Sequence, residues 1–91
     1  MLSAAERKAL RGRAHKLEPV AIIGAKGLTG EVVKEIEAAL KAHELIKVRA
    51  PGLERGDREA ALRSICERTG AEAVQSVGKV FVIYRKSDEA R

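Results

Sequence analysis

The feature that most restricts the fold of this chain is an unbroken apolar run, Val20-Ala21-Ile22-Ile23. It leads through Gly24-Ala25-Lys26-Gly27 into a helix-forming stretch that opens at Thr29. Four apolar residues between Pro19 and a glycine match a buried strand. The glycines free the backbone to turn, and the Thr29 hydroxyl can accept a hydrogen bond from the first unsatisfied N–H groups of a helix. A strand that turns directly into a helix returns to its own sheet by a crossover, so the unit requires a further strand beyond the helix.

The rest of the chain supplies it. Val32, Val33, Ile36, Leu40 and His43 keep helical spacing to about His43, with Glu37 and Lys41 one turn apart on the wet side. Leu45 to Arg49 then alternates, turning Ile46 and Val48 one way and Lys47 and Arg49 the other. Pro51, Gly52 and Gly56 mark a loop. Asp57 is placed to cap a third helix with an inward stripe of Leu62, Ile65, Cys66 and Thr69, which Gly70 ends. Ala73–Val77 and Val80–Tyr84 favour strands, and Gly78-Lys79 between them suits a two-residue turn of type II′. Ahead of all this, Ser3 to Leu17 forms a first helix with Leu10, Ala14 and Leu17 on one stripe, stopped by Pro19.

The expected fold is therefore α/β: a single α-β-α-β-α-β-β domain with a mixed four-stranded sheet carrying helices, over residues 1–86. Residues 87–91 are expected to fray. With 91 residues there is room for one core only, and so small a domain leaves most charged side chains wet. The surface carries the function.

Eighteen Lys and Arg against thirteen Asp and Glu give a net charge of +5, which favours a polyanionic partner. The strand–glycine turn–helix passage points backbone N–H groups and the positive end of a helix dipole at one place, with Lys26 inside the turn. Phosphate is the anion such a site suits. The alternative is a plain tight turn with a threonine cap. Gly24, Gly27 and Gly30 have the spacing GxxGxxG, which is neither the dinucleotide GxGxxG nor the P-loop GxxxxGK[ST], so a nucleotide-binding enzyme is not indicated.

On a helical wheel Arg7, Lys8, Arg11 and His15 share roughly 100° of arc beside the apolar stripe. Five Lys or Arg and one acid, Glu6, lie between residues 6 and 16, so the stripe is barely neutralised by its own helix and can track a phosphate backbone. A solvated helix face is the plainer alternative. Lys47, Arg49, Lys79, Arg85 and Lys86 are further cations that one fold can gather. Phe81 and Tyr84 both belong to the last strand, so no spaced aromatic platform for stacking successive bases is present.

Cys66, the single cysteine, lies on an apolar stripe and has no His/Asp set around it in sequence. No Cys/His spacing suits zinc, and no catalytic constellation or cofactor motif emerges. No run of about eighteen apolar residues spans a bilayer, and a cytoplasmic location is expected.

Three segments carry a family resemblance: AHKLEPVAIIGAKGLT from Ala14 to Thr29, HELIKVR from His43 to Arg49 and GKVFVIYR from Gly78 to Arg85. They resemble the CRM domain, also called the YhbY-like family, along nearly the whole chain. The resemblance implies a non-enzymatic RNA-binding protein, without cofactor, metal or small-molecule substrate, that acts on large-subunit ribosomal RNA or its precursor particle. It also implies a fold like the C-terminal domain of bacterial initiation factor three, with an added N-terminal helix. The family's GxxG loop falls on Gly24, Ala25, Lys26 and Gly27, between a strand and a helix, whereas KH domains place theirs between two helices. With Arg7, Lys8, Arg11, His15, Lys47 and Arg49, that loop forms the expected RNA-binding set. A protein-docking module within preribosomal particles, with little intrinsic RNA affinity, is the alternative.

Overall fold

A computed structural model describes residues 2–86; the expected frayed tail, 87–91, lies outside the described residues. The elements are α1 (Ala4–Ala14), β1 (Pro19–Ile22), α2 (Gly30–His43), β2 (Leu45–Arg49), α3 (Arg55–Thr69), β3 (Glu72–Val77) and β4 (Val80–Tyr84). This is the expected order. The four strands form one sheet in the order β1-β2-β4-β3, with β1 parallel to β2 and the other two pairings antiparallel. The connection through α3 skips one position, and β4 folds back by the hairpin to fill it.

The sheet separates two apolar clusters. Ala21, Ile23, Ile46, Val48, Phe81 and Ile83 face α2 and α3, packing on Ile36, Leu40, Ala61 and Ile65. On the opposite face Leu45, Val74 and Val82 meet Leu10 and Ala14 of α1, with Leu2, Leu17 and Tyr84 partly buried around them. The alternation expected of β2 holds, with Ile46 and Val48 buried and Arg49 exposed.

Helix ends follow local chemistry. Ser3 and Glu6 form a reciprocal capping box at the start of α1: the Glu6 N–H donates to Ser3 Oγ at 3.1 Å and the Ser3 N–H donates to Glu6 Oε1 at 2.8 Å. The far end stops at Ala14, not Leu17. There the N–H groups of Lys16 and Leu17 bond to the carbonyls three residues back, a tightened last turn ahead of Pro19 that still lays Leu17 on the cluster under α1. Thr29 caps α2 as expected, its Oγ1 accepting the Val32 N–H at 3.3 Å. Asp57 does not cap α3: the helix begins two residues earlier with Glu54 as its cap residue, which leaves Asp57 in the first turn, where a carboxylate favours the helix dipole. Gly70 ends α3 with φ 76°, left-handed as a glycine stop requires. In the hairpin Gly78 takes φ 56°, whereas Lys79 is not among the residues of positive φ, a pattern that fits type II′.

Two expectations need correction. The run Val20–Ile23 is not a strand covered on both faces. β1 is an edge strand with no helix over its outer face, so Val20 and Ile22 are exposed while Ala21 and Ile23 are buried. Glu37 pairs with Arg85 at 2.7 Å, bridging α2 to the end of β4, in place of a one-turn partnership with Lys41.

Candidate nucleic-acid interface

Parallel pairing of β1 with β2 brings the turns that follow both strands to one end of the sheet, and the antiparallel hairpin returns there as well. The Gly24–Gly27 loop is closed by a hydrogen bond from the Gly27 N–H to the Gly24 carbonyl at 3.0 Å, with Gly27 at φ 79°. Ala25 and Lys26 are exposed at its tip. Its entry is fixed where the Ile23 N–H donates to the Arg49 carbonyl at 2.8 Å, and the Ala50 N–H joins the hairpin by donating to the Lys79 carbonyl at 2.7 Å. The expected loop thus sits on a braced platform.

The brace includes a residue that sequence reasoning passed over. A Cβ on Gly52 would come within 2.4 Å of the Gly24 carbonyl carbon and 2.5 Å of the Ala25 nitrogen. Only a residue without a side chain lets the turn after β2 support the loop from beneath. Pro51-Gly52 was legible as a turn, but what it abuts is a long-range contact with no local signal.

Cations collect at this end. Arg49 closes β2, Lys26 and Lys79 occupy the two tips, and Arg55 and Arg58 open α3, lining a recess with Glu59, Ser76 and Gly78. Arg58 is held by a hydrogen bond from its Nη1 to the Leu53 carbonyl at 2.8 Å. Arg55 and Arg58 were not in the expected set; their spacing at the start of a helix was the available clue.

The basic stripe of α1 divides. Arg11 and His15, with Ala14, form one wall of a groove of about 280 Å³ whose floor is Lys47, Gln75, Val77, Val80 and Val82. Three expected cationic positions, on α1 and β2, therefore meet. Lys8 is exposed. Arg7 turns to a separate recess between α3 and β3, where it lines the wall with Glu59, Leu62, Cys66 and Glu72 and its Nε is buried without a hydrogen-bond partner. Arg85 leaves the set of candidate cations: besides its pairing with Glu37, its Nη1 donates to the Thr69 carbonyl at 2.8 Å. With Lys86 it follows Tyr84, which pairs with Leu45 at the end of the sheet away from the glycine loop.

Burial, reinforced by the Glu72 carboxylate, pushes the Cys66 thiol up, which disfavours the thiolate a nucleophile needs. Among the described residues no group of three His, Cys, Asp or Glu is placed to hold a metal ion, and no helix is long and apolar enough to cross a membrane.

Known proteins resemble this chain in sequence and in solved structure. The chain is 43% identical over 90 residues to an RNA-binding protein of Haemophilus influenzae, covering 99% of this chain and 91% of that one. It is 32% identical over 89 residues to the probable RNA-binding protein YqeI of Bacillus subtilis, covering 98% and 93%. The solution structure of SAV1595 from Staphylococcus aureus, a candidate RNA binder, superposes with a TM-score of 0.86 at 34% identity, over 100% of this chain and 95% of that one. The model of the CRS1 / YhbY (CRM) domain matches residues 2–85. With that match spanning the described fold almost end to end, the chain belongs to the CRS1/YhbY (CRM) domain family.

Proposed function

We propose that this protein binds ribosomal RNA without catalysing a reaction, as a cytoplasmic assembly factor for the large ribosomal subunit. In this reading the glycine loop and α1 hold the phosphate backbone. The observation that carries it is the convergence of Arg11, His15 and Lys47 on one groove, beside the sheet end where Arg49, Lys26 and Lys79 lie. Family membership and relatives named for RNA binding support the choice of RNA among polyanions. The ribosomal target rests on the family resemblance. Burial and the Glu72 carboxylate disfavour the Cys66 thiolate, which supports a binding role over nucleophilic turnover at that residue.

Affinity for a structured large-subunit RNA fragment, measured across a salt series, tests the reading. Wild type should show a clear inverse salt dependence from counterion release, and Lys26→Glu with Arg11→Glu should lose most of the affinity and flatten the slope by about two counterions. Equal binding by both proteins, or by neither, would reject the surface named here and favour a module that docks on preribosomal proteins. Sedimentation of tagged protein with the large-subunit precursor would support the ribosomal target; its absence from those fractions would overturn it.

A further inference from the structure

The part of the sheet that α1 leaves open has a chemistry of its own. Pairing aligns Ile22 with Arg49, Arg49 with Val80 and Val80 with Val77, one residue from each strand, so the four form a row across the whole sheet. The row lies on the same face as α1, since Val80 is two residues from Val82, which packs under that helix. α1 covers the sheet around Leu45, Val74 and Val82 and leaves Ile22 and Val77 57% and 60% exposed, with Val77 on the floor of the groove beside Arg11. Single exposed apolar side chains are common, but here the two most exposed large ones occupy the two edges of one row.

Cations surround that row. Arg49 lies within it, Arg11 and Lys47 border it from the groove, and Lys26 and Lys79 lie on the turns just beyond its outer side. An apolar strip ringed by positive charge is complementary to a nucleotide chain with its bases unpaired: flat, weakly polar faces with phosphates close by. A duplex is not complementary to it, because its base faces are stacked on one another and only backbone, 2′-hydroxyls and base edges are offered.

We propose that the row Ile22, Arg49, Val80 and Val77 seats the faces of unpaired RNA bases, so that the preferred ligand is a single-stranded segment, loop or bulge. The inference rests on the RNA reading above and narrows it. Aliphatic side chains and the Arg49 guanidinium supply the contact in place of aromatic rings, which gives little discrimination between bases.

Fluorescence anisotropy separates the possibilities, with an oligouridine of about a dozen nucleotides and a blunt RNA duplex of equal phosphate content as probes. Wild type should prefer the oligouridine. The double variant Ile22→Ser, Val77→Ser, whose fold circular dichroism verifies, should lose about five- to tenfold affinity for it with an unchanged salt slope. Methyl resonances of Ile22, Val77 and Val80 should move upfield when oligouridine is added, through base ring currents, and stay in place with duplex. If the serine variant binds like wild type and the methyls do not move, while Lys26→Glu with Arg11→Glu still abolishes binding, the base seat falls and the RNA reading survives. If wild type binds neither probe, the base seat falls, and the salt series with the large-subunit fragment decides the RNA reading. Self-association of wild type that the serine variant loses, with RNA affinity intact, would assign the row to protein contact and overturn the proposal.

Discussion

At the scale of single residues, the most constrained position near the proposed surface is one with no functional group. Gly52 contributes no charge and no hydrogen-bonding side chain, yet its missing Cβ lets the turn after β2 lie against Gly24 and Ala25. Gly52→Ala should cost about 1–3 kcal/mol in urea unfolding and weaken RNA binding with it, because backbone, not a flexible side-chain tip, must yield. Gly56→Ala is the control. A Cβ there meets nothing within 4 Å, and in the first turn of α3 the change should be neutral or stabilising by up to about 1 kcal/mol with RNA affinity kept. If the two variants behave alike, the brace has no energetic importance. This is also where the sequence was least legible. The GxxG loop, its threonine cap and Lys26 are contiguous and could be recognised, whereas Gly52 acquires its role only once β1 and β2 are paired.

At the scale of elements, patterns of charge and hydrophobicity located all seven, and errors gathered at ends and edges. A wheel placed Arg7, Lys8, Arg11 and His15 on one arc, but could not show that the sheet below would accept Arg11 and His15 while Arg7 turned to α3. Likewise an apolar run says nothing about which strand lies at an edge, so β1 was assigned two covered faces when it has one. The start of α1 offers an element-scale prediction. Ser3→Ala should destabilise the helix by about 1 kcal/mol. The Ser3 backbone N–H, and then its side chain, hold the Glu6 carboxyl below its ordinary range. A depressed folded value means that this part of the stability is present above the unfolded carboxyl's range and is lost as pH falls through the folded one. The melting temperature of Glu6→Gln should therefore lie below that of wild type near neutrality, with the gap closing on acidification; a gap that stays constant with pH would contradict the sign.

At the scale of the whole molecule, the fold class followed from pattern, but strand order did not, and where one core was expected the sheet separates two apolar clusters. β4 comes last in sequence and sits between β2 and β3, an insertion made by a hairpin after the crossover and set by long-range pairing alone. Nor could one-dimensional patterning show that the apolar side chains divide so unevenly. Among the described residues twelve buried side chains form the cluster under α2 and α3 and five form the one under α1. α1 rests on the smaller cluster, so local opening of that helix should take less free energy than global unfolding. Leu10→Ala should remove about 2–3 kcal/mol of packing, and amide exchange should accelerate first along α1 while Phe81 and Ile83 stay protected. Uniform acceleration through the sheet would show instead that the two clusters open together. Arg11 and His15 line the groove from the side of this smaller cluster, so RNA held there, as proposed, would favour the docked helix over the opened one and bear part of the cost of ordering it. The RNA affinity proposed above is in that way tied to how firmly α1 is docked.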